Sequence, residues 1–139
     1  KEVIKFAVWR DPVERLVSCY KYFCLEKWYR HYFHFLDLYR EPTFDHFMMF
    51  VRFELDKKCI ILQDEHIRRQ SDFYSPDDVD FIVPIKKLDT FLQKYNVPIQ
   101  YGLKNSTHVD FKLDNEEYIN EIRELYRADY EILNSTKYI

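Results

Sequence analysis

The order of secondary-structure signals in this sequence predicts an α/β layer fold. Two short apolar runs, residues 3–9 and 81–85, have the length of strands, and each is followed by residues with helical spacing. Strands that alternate with helices favour a sheet covered by helices. The chain has 139 residues, of which 47% are hydrophobic and 19% aromatic. This is the size of one domain with ample material for a core, so we expect a single domain over residues 1–139.

The first predicted strand is a nearly continuous apolar run that ends in Phe6-Ala7-Val8-Trp9. Such a run is typical of a strand buried on both faces of a parallel sheet. It stops at Arg10-Asp11-Pro12, where Asp11 is a suitable helix N-cap and Pro12 suits the first helical position. Apolar residues then recur at helical spacing, which predicts an amphipathic helix to about residue 30.

The rest of the chain contains further helices and one long irregular segment. Pro42 opens a second predicted helix, with Phe44 and Val51 on its apolar face. Residues 56–80 have few periodic positions, and a segment of this length without regular structure is usually either functional or wrongly assigned as a loop. The second strand is followed by a helix of about ten residues. A capping-box pattern at Asp114 begins one last helix.

The charge and composition exclude several classes of function. Basic and acidic residues number 21 and 24, a balance that argues against general nucleic-acid binding or a membrane-surface role. No apolar run approaches the ~20 residues of a membrane span. The 3 cysteines lack zinc-type spacing, and no cluster of ligand residues indicates a metal. Gly102 is the only glycine, so a glycine-rich phosphate loop within this sequence is excluded.

The turn after the first strand is the strongest candidate site. Arg10 stands at the carboxyl end of a predicted buried strand, the edge where ligands gather in open α/β sheets. Arg15 and Ser18 lie three residues apart on the following helix and share one face of it. Two guanidinium groups and a hydroxyl suit a phosphate, because arginine is a bidentate donor that stays charged. The alternative is a surface arginine that pairs with Asp11 or Glu14.

Residues 6–20 also carry a family pattern: Arg-Asp-Pro, an arginine three residues after the proline, then serine and tyrosine. This stretch resembles the 3′-phosphate-binding segment of sulfotransferases. Residues 64–70, Asp-Glu-His-Ile-Arg-Arg-Gln, resemble the Asp-x-His-Trp-x-Pro-Gln region of the Golgi-type (family 2) carbohydrate sulfotransferases and of their bacterial relatives. Residues 81–92, Asn105-Ser106 and residues 125–130 resemble later segments of that family, in the same order.

The resemblance implies a sulfotransferase whose donor is 3′-phosphoadenosine 5′-phosphosulfate (PAPS) and whose acceptor is a carbohydrate hydroxyl. It also implies a P-loop nucleotide-fold-like, three-layer core with a short parallel sheet flanked by helices, and it requires no metal. By position, Arg10 and Ser18 hold the 3′-phosphate of the donor. Asn105 and Ser106 help to close the nucleotide site.

The same resemblance locates the acceptor at residues 64–70. His66, Arg68, Arg69 and Gln70 are the predicted acceptor-binding residues. Histidine titrates near working pH, so a neutral His66 imidazole is able to take the proton of the acceptor hydroxyl. Contact with the acceptor and a purely structural role remain open for this residue, as does the identity of the acceptor.

The sequence departs from the family pattern in ways that affect the prediction. The family's 5′-phosphosulfate loop lies upstream of Arg-Asp-Pro. We therefore expect the first βα unit, with the main catalytic basic residue, to be absent from this chain and the chain to be inactive by itself. Ile67 and Arg69 stand where the Golgi enzymes often have tryptophan and proline. This favours the bacterial branch and a cytoplasmic location, with a lumenal Golgi domain as the alternative.

Two other functions fit the same scaffold. One is a P-loop nucleotide kinase-like phosphotransferase, which needs a Walker-type loop upstream. The other is a non-catalytic interaction module, for which replacement of Arg10 changes neither nucleotide affinity nor function.

Overall fold

The computed structural model describes residues 3–26, 41–98 and 109–139. By its internal contacts the chain forms two compact units. We call the first the sheet unit and the second the helical unit. The sheet unit comprises Lys1–Pro12, Arg69–Ser106 and Asn120–Ile139, and the helical unit comprises Val13–Arg68 and Thr107–Ile119.

Helices supply most of the regular structure in the described residues. The α-helices are α1 (Pro12–Tyr20), α2 (Phe44–Leu55), α3 (Leu88–Lys94), α4 (Glu116–Leu125) and α5 (Arg127–Glu131), and a π-helical turn continues α1 over Lys21–Leu25. Short 3₁₀ turns lie at Ile60–Leu62, Gln70–Asp72, Pro76–Asp78, Ile85–Lys87 and Ile132–Asn134. None of the helices in the described ranges is long and apolar enough to span a membrane.

The sheet unit contains a two-stranded parallel sheet. Strand β1 (Phe6–Trp9) pairs with strand β2 (Phe81–Pro84) along its whole length. The last residues of the chain cover the other edge of β2, because Ile82 N–H donates to Lys137 O (2.9 Å) and Ile139 N–H donates to Ile82 O (3.1 Å). The predicted α/β class, with a short parallel sheet flanked by helices, is therefore confirmed.

Two small apolar clusters pack against the sheet. Ile82 lies opposite Ala7 in the register, and Val83 lies opposite Val8. Successive strand residues point to opposite faces, so each cluster takes one face of β2. The buried members are Trp9, Ile82 and Ile132 in one cluster and Val83, Phe91 and Leu92 in the other.

Strand β1 is less buried than its apolar sequence predicts. Trp9 is buried, but Phe6 is 39% exposed and Val3, just before the strand, is also exposed. Within the described residues β1 has a neighbouring strand on one side only. The strand therefore lacks the cover that a central parallel strand receives from both sides.

The helical unit is built around the apolar face of α2. Thr43 caps this helix, because His46 N–H donates to Thr43 Oγ1 (3.4 Å) and Thr43 N–H donates to His46 Nδ1 (3.0 Å). The helix therefore begins just after this cap rather than at Pro42. Phe47 and Val51 are fully buried, which confirms the predicted apolar face.

The last predicted helix is divided in two at Tyr126, whose φ of −108° and ψ of 25° depart from helical values. Beyond the break, Asp129 N–H donates to Tyr126 O (2.9 Å) rather than to Leu125 O. Leu125 O instead accepts a hydrogen bond from Arg69 Nε (2.7 Å). The arginine therefore replaces a lost helical hydrogen bond and stabilises the bend.

Replacement of Ile82 with alanine is expected to lower the free energy of unfolding by about 3 kcal/mol, because a fully buried side chain leaves a cavity. Urea unfolding followed by circular dichroism measures this loss. The matched control is Ile61→Ala, since Ile61 is 82% exposed; its expected effect is below about 0.5 kcal/mol. Equal losses in the two variants would contradict the assignment of the core.

Candidate functional site

Arg10 follows directly after the last residue of β1, and its backbone is fixed by a single side chain. Arg10 N–H donates to Gln70 Oε1 (2.9 Å), and Gln70 Nε2 donates to Arg10 O (2.8 Å). Strand pairing ends at Trp9, so no ladder partner is available to this peptide. The Gln70 amide supplies both the missing acceptor and the missing donor.

Gln70 is itself held by a buried carboxylate. Asp129 Oδ2 accepts hydrogen bonds from Gln70 N–H (3.0 Å) and from Gln70 Nε2 (3.4 Å), and Asp129 Oδ1 accepts one from Ser71 N–H (2.9 Å). Asp129 is 0% exposed. Hydrogen bonds therefore link the Arg10 backbone, Gln70, Ser71 and Asp129 in one network.

The residues on either side of Arg10 are held by the same helix, α5. Trp9 Nε1 donates to Asp129 O (2.8 Å), and Tyr130 OH donates to Asp11 Oδ1 (2.8 Å). Burial is the main reason that the pKa of the Tyr130 phenol is raised, and the hydrogen bond to Asp11 raises it further. Residues 9–11 therefore form a rigid corner at the carboxyl end of the strand.

Arg10 is partly buried, and its guanidinium has no partner among the described residues. Within the described ranges it forms neither a hydrogen bond nor an ion pair. The structure therefore does not contain the pairing with Asp11 or Glu14 that the sequence left open as an alternative. Because an incompletely solvated charge without a partner is unfavourable, this group is suited to receive an anion.

The other arginines of interest donate to backbone carbonyls. Arg15 donates to Arg68 O (2.7 Å) and Glu65 O (3.1 Å), and Arg68 donates to Gln63 O (2.9 Å) and Ile61 O (3.2 Å). Arg15, Arg68 and Arg69 thus hold turns and loops in place, each within its own unit. Arg10 differs from all three.

Ser18 lies on α1 and is partly buried. Its hydroxyl makes no hydrogen bond to any residue that the structure describes. Asn105 and Ser106, the other predicted nucleotide-binding residues, lie outside the described residues.

His66, in the helical unit, is oriented by a chain of acidic residues. Its Nδ1 lies 3.0 Å from Asp64 Oδ1, and its backbone N–H donates to the same oxygen (2.8 Å). The ring also packs edge-on against Phe23, with 4.9 Å between centroids. Asp64 N–H donates to Glu54 Oε1 (2.8 Å), and Glu54 is buried.

This geometry selects one tautomer of the neutral imidazole. A carboxylate only accepts hydrogen bonds, so in that tautomer Nδ1 carries the proton and the lone pair lies on Nε2. Burial alone would raise the pKa of Asp64, but the hydrogen bonds from the His66 side chain and backbone outweigh it, and the pKa is lowered. The pair has the arrangement of an oriented general base.

Sequence reasoning did not identify Asp129 or Glu54, although a signal was present. Asp129 follows Ile122 and Tyr126 at helical core spacing, and Glu54 follows Phe47 and Val51 in the same way. A carboxylate on the apolar face of a helix is expected to be buried. It then needs hydrogen-bond donors from other parts of the fold.

Comparison of the chain with protein-family models, with curated proteins and with solved structures finds no match. Among the described residues there is also no group of three or more histidine, cysteine, aspartate or glutamate side chains arranged to hold a metal ion. The candidate site is therefore interpreted from its own geometry.

Tyr130→Phe is expected to reduce the loss of stability in alkaline solution. A phenol whose pKa is raised in the folded state contributes stability that is complete below its unfolded pKa of about 10 and is lost as the pH rises above it. The free energy of unfolding between about pH 8 and pH 11 measures the effect. Part of the dependence should persist, because burial and then Asp129 raise the pKa of Tyr74 to about 12. If the free energy of unfolding had the same pH dependence in the wild type and in Tyr130→Phe, the raised pKa of Tyr130 would be contradicted.

His66→Ala is expected to lower the free energy of unfolding by an amount that depends on pH in the acidic range. A carboxyl whose folded pKa is lowered contributes stability above its unfolded pKa, and this contribution is lost as the pH falls through the folded value. The stability gap between the wild type and the variant should therefore narrow from about pH 5 to about pH 2. A gap that stays constant over this range would show that Asp64 and His66 are not coupled.

Proposed function

We propose that this chain is the nucleotide-binding core of a sulfotransferase. The reaction is the transfer of a sulfuryl group from PAPS to a hydroxyl of a carbohydrate acceptor, on a P-loop nucleotide-fold-like, three-layer scaffold. The observation that carries the proposal is Arg10, a partly buried residue whose guanidinium has no partner among the described residues and whose backbone is fixed at the carboxyl end of a parallel strand.

The position and chemistry of Arg10 support an anionic ligand. Ligands of open α/β sheets bind outside the carboxyl ends of the strands. A guanidinium binds phosphate through two parallel hydrogen bonds, and its charge does not depend on pH in the physiological range. Arg10 therefore supplies discrimination as well as affinity, because a nucleotide that lacks the phosphate leaves this cation without a counter-charge.

The choice of the 3′-phosphate of PAPS rests on the sequence resemblance. The resemblance assigns Ser18 to the same phosphate, and a Ser18 hydroxyl that makes no hydrogen bond to a described residue is consistent with that role. It assigns Asn105 and Ser106 to the closure of the nucleotide site. The bacterial-type pattern of residues 64–70 favours a cytoplasmic enzyme.

In the proposed reaction the acceptor oxygen attacks sulfur in line with the leaving group. A new S–O bond forms as the S–O bond to the donor breaks, and adenosine 3′,5′-bisphosphate leaves. The acceptor hydroxyl loses its proton, and His66 Nε2 is the base that we propose to receive it, with Asp64 as its orienting partner. Positioning and electrostatic stabilisation are the protein's contributions.

The acceptor residues that the resemblance implies are His66, Arg68, Arg69 and Gln70. Arg68 and Arg69 donate to backbone carbonyls, so their charges are held at fixed points of the loop. A fixed cation suits a carboxylated or sulfated glycan. The Gln70 amide is engaged with Arg10 and Asp129.

Calorimetric titration tests the nucleotide proposal. The full chain is expected to bind adenosine 3′,5′-bisphosphate at least about tenfold more tightly than 5′-AMP, because only the former carries the 3′-phosphate. Arg10→Ala is expected to abolish this preference. Arg127→Ala is the matched control, since Arg127 is an exposed arginine of the sheet unit that pairs with Glu124.

Equal and weak binding of the two nucleotides by the folded chain would contradict the proposal and favour the non-catalytic interaction module. A loss of preference in Arg127→Ala equal to that in Arg10→Ala would indicate a general effect of charge rather than a phosphate site. Folding of each variant is checked by circular dichroism before titration.

A further inference from the structure

We propose that Gln70 and Asp129 are positioning residues for phosphate recognition, acting through the backbone of Arg10. This inference rests on the proposed function and extends it, because it moves Gln70 from the acceptor to the donor side of the reaction. Neither residue needs to touch the nucleotide.

The first argument is the geometry of the Arg10 peptide groups. Gln70 contacts the N–H (2.9 Å) and the carbonyl (2.8 Å) of the same residue. The amide of glutamine is planar, so two such contacts fix the direction of both peptide groups around one Cα. The direction in which the Arg10 side chain leaves the backbone is then fixed as well.

The second argument is that Gln70 is itself anchored in the core. Its backbone N–H and its Nε2 both reach Asp129 Oδ2, at 3.0 and 3.4 Å. Gln70 is 7% exposed, and Asp129 is fully buried. A solvent-exposed glutamine side chain exchanges among rotamers. The Gln70 side chain is held instead by the Asp129 carboxylate, which is buried and therefore has no water molecules as alternative donors.

The third argument is that α5 fixes Trp9 independently. Trp9 Nε1 donates to Asp129 O (2.8 Å), so the carbonyl of Asp129 holds Trp9 directly, while its carboxylate holds Arg10 through Gln70. Positioning of a binding group within a fraction of an ångström requires supporting contacts of this kind. The side chain between these supports is that of Arg10, whose guanidinium makes no hydrogen bond or ion pair to a described residue.

The chain offers a matched control for Gln70. Gln63 is also a buried glutamine, 4% exposed, and its Nε2 donates to the carbonyls of Leu55 and Lys57, both at 3.4 Å. It belongs to the helical unit, as do both residues that accept its hydrogen bonds. A structural role alone predicts similar consequences for the two glutamines, whereas the positioning role predicts different ones.

The experiment compares Gln70→Leu with Gln63→Leu in the full chain. For each protein, calorimetry gives the Kd for adenosine 3′,5′-bisphosphate and for 5′-AMP, and the readout is the Kd for 5′-AMP divided by the Kd for the bisphosphate. Gln70→Leu is expected to reduce the ratio about tenfold or more, while the affinity for 5′-AMP changes less than about threefold. Gln63→Leu is expected to leave the ratio at the wild-type value.

The outcomes separate the two proposals. A wild-type chain without a preference for the bisphosphate overturns the proposed function. A wild-type preference that Arg10→Ala abolishes and Gln70→Leu preserves overturns the positioning role alone. A similar fall of the ratio in Gln63→Leu also overturns it, because the effect would then be general loosening.

A second variant applies if Gln70→Leu does not fold. Asp129→Asn keeps the side-chain volume but replaces one acceptor oxygen with a donor, which then faces the backbone N–H of either Gln70 or Ser71. The same fall in the ratio is expected, together with faster hydrogen exchange of the Arg10 amide. An unchanged ratio in the folded Asp129→Asn protein overturns the inference.

Discussion

The buried carboxylate of Asp129 is the constraint on which the sheet unit depends. A charge removed from water is tolerated only where hydrogen-bond donors surround it, and here the amides of Gln70 and Ser71 are those donors. The carboxylate fixes the loop, and the loop fixes the peptide of Arg10. Because the Asp129 carbonyl also accepts from Trp9, the helix and the strand end cannot shift independently. Order at the candidate phosphate site therefore originates in the core.

The helical unit contains a second arrangement of the same kind. Glu54 is buried on the apolar face of α2, and its carboxylate accepts from the Asp64 amide (2.8 Å) and pairs with Lys57 (2.5 Å). Asp64 in turn orients His66. In both units a buried acid thus organises an irregular segment, and that segment holds a residue with candidate chemistry. This explains how a long stretch with few periodic positions keeps a defined structure without regular helices or strands.

The sequence predicts regular elements better than it predicts the contacts between them. The two strands and the start of α1 follow from short-range patterns, and the position of Arg10 at the strand end follows with them. The break at Tyr126 does not, because it depends on a hydrogen bond from Arg69, which is 56 residues away along the chain. The pairing of Gln70 with Arg10 spans 60 residues and is equally invisible to local patterns. Arg69 and Gln70, which the sequence predicts as site residues, therefore have backbone partners that only the structure reveals.

The division of the last helix at Tyr126 has a consequence for cooperativity. Helix α5 spans only 5 residues, and an isolated helix shorter than about 12 residues is marginal in water. It persists because Leu125 O and the Asp129 carboxylate are both bonded to residues 69–71. Because these hydrogen bonds join the two segments, we expect the loop and the helix to open and close together. The local stability of the loop is then coupled to that of the helix, although the segments are distant in sequence.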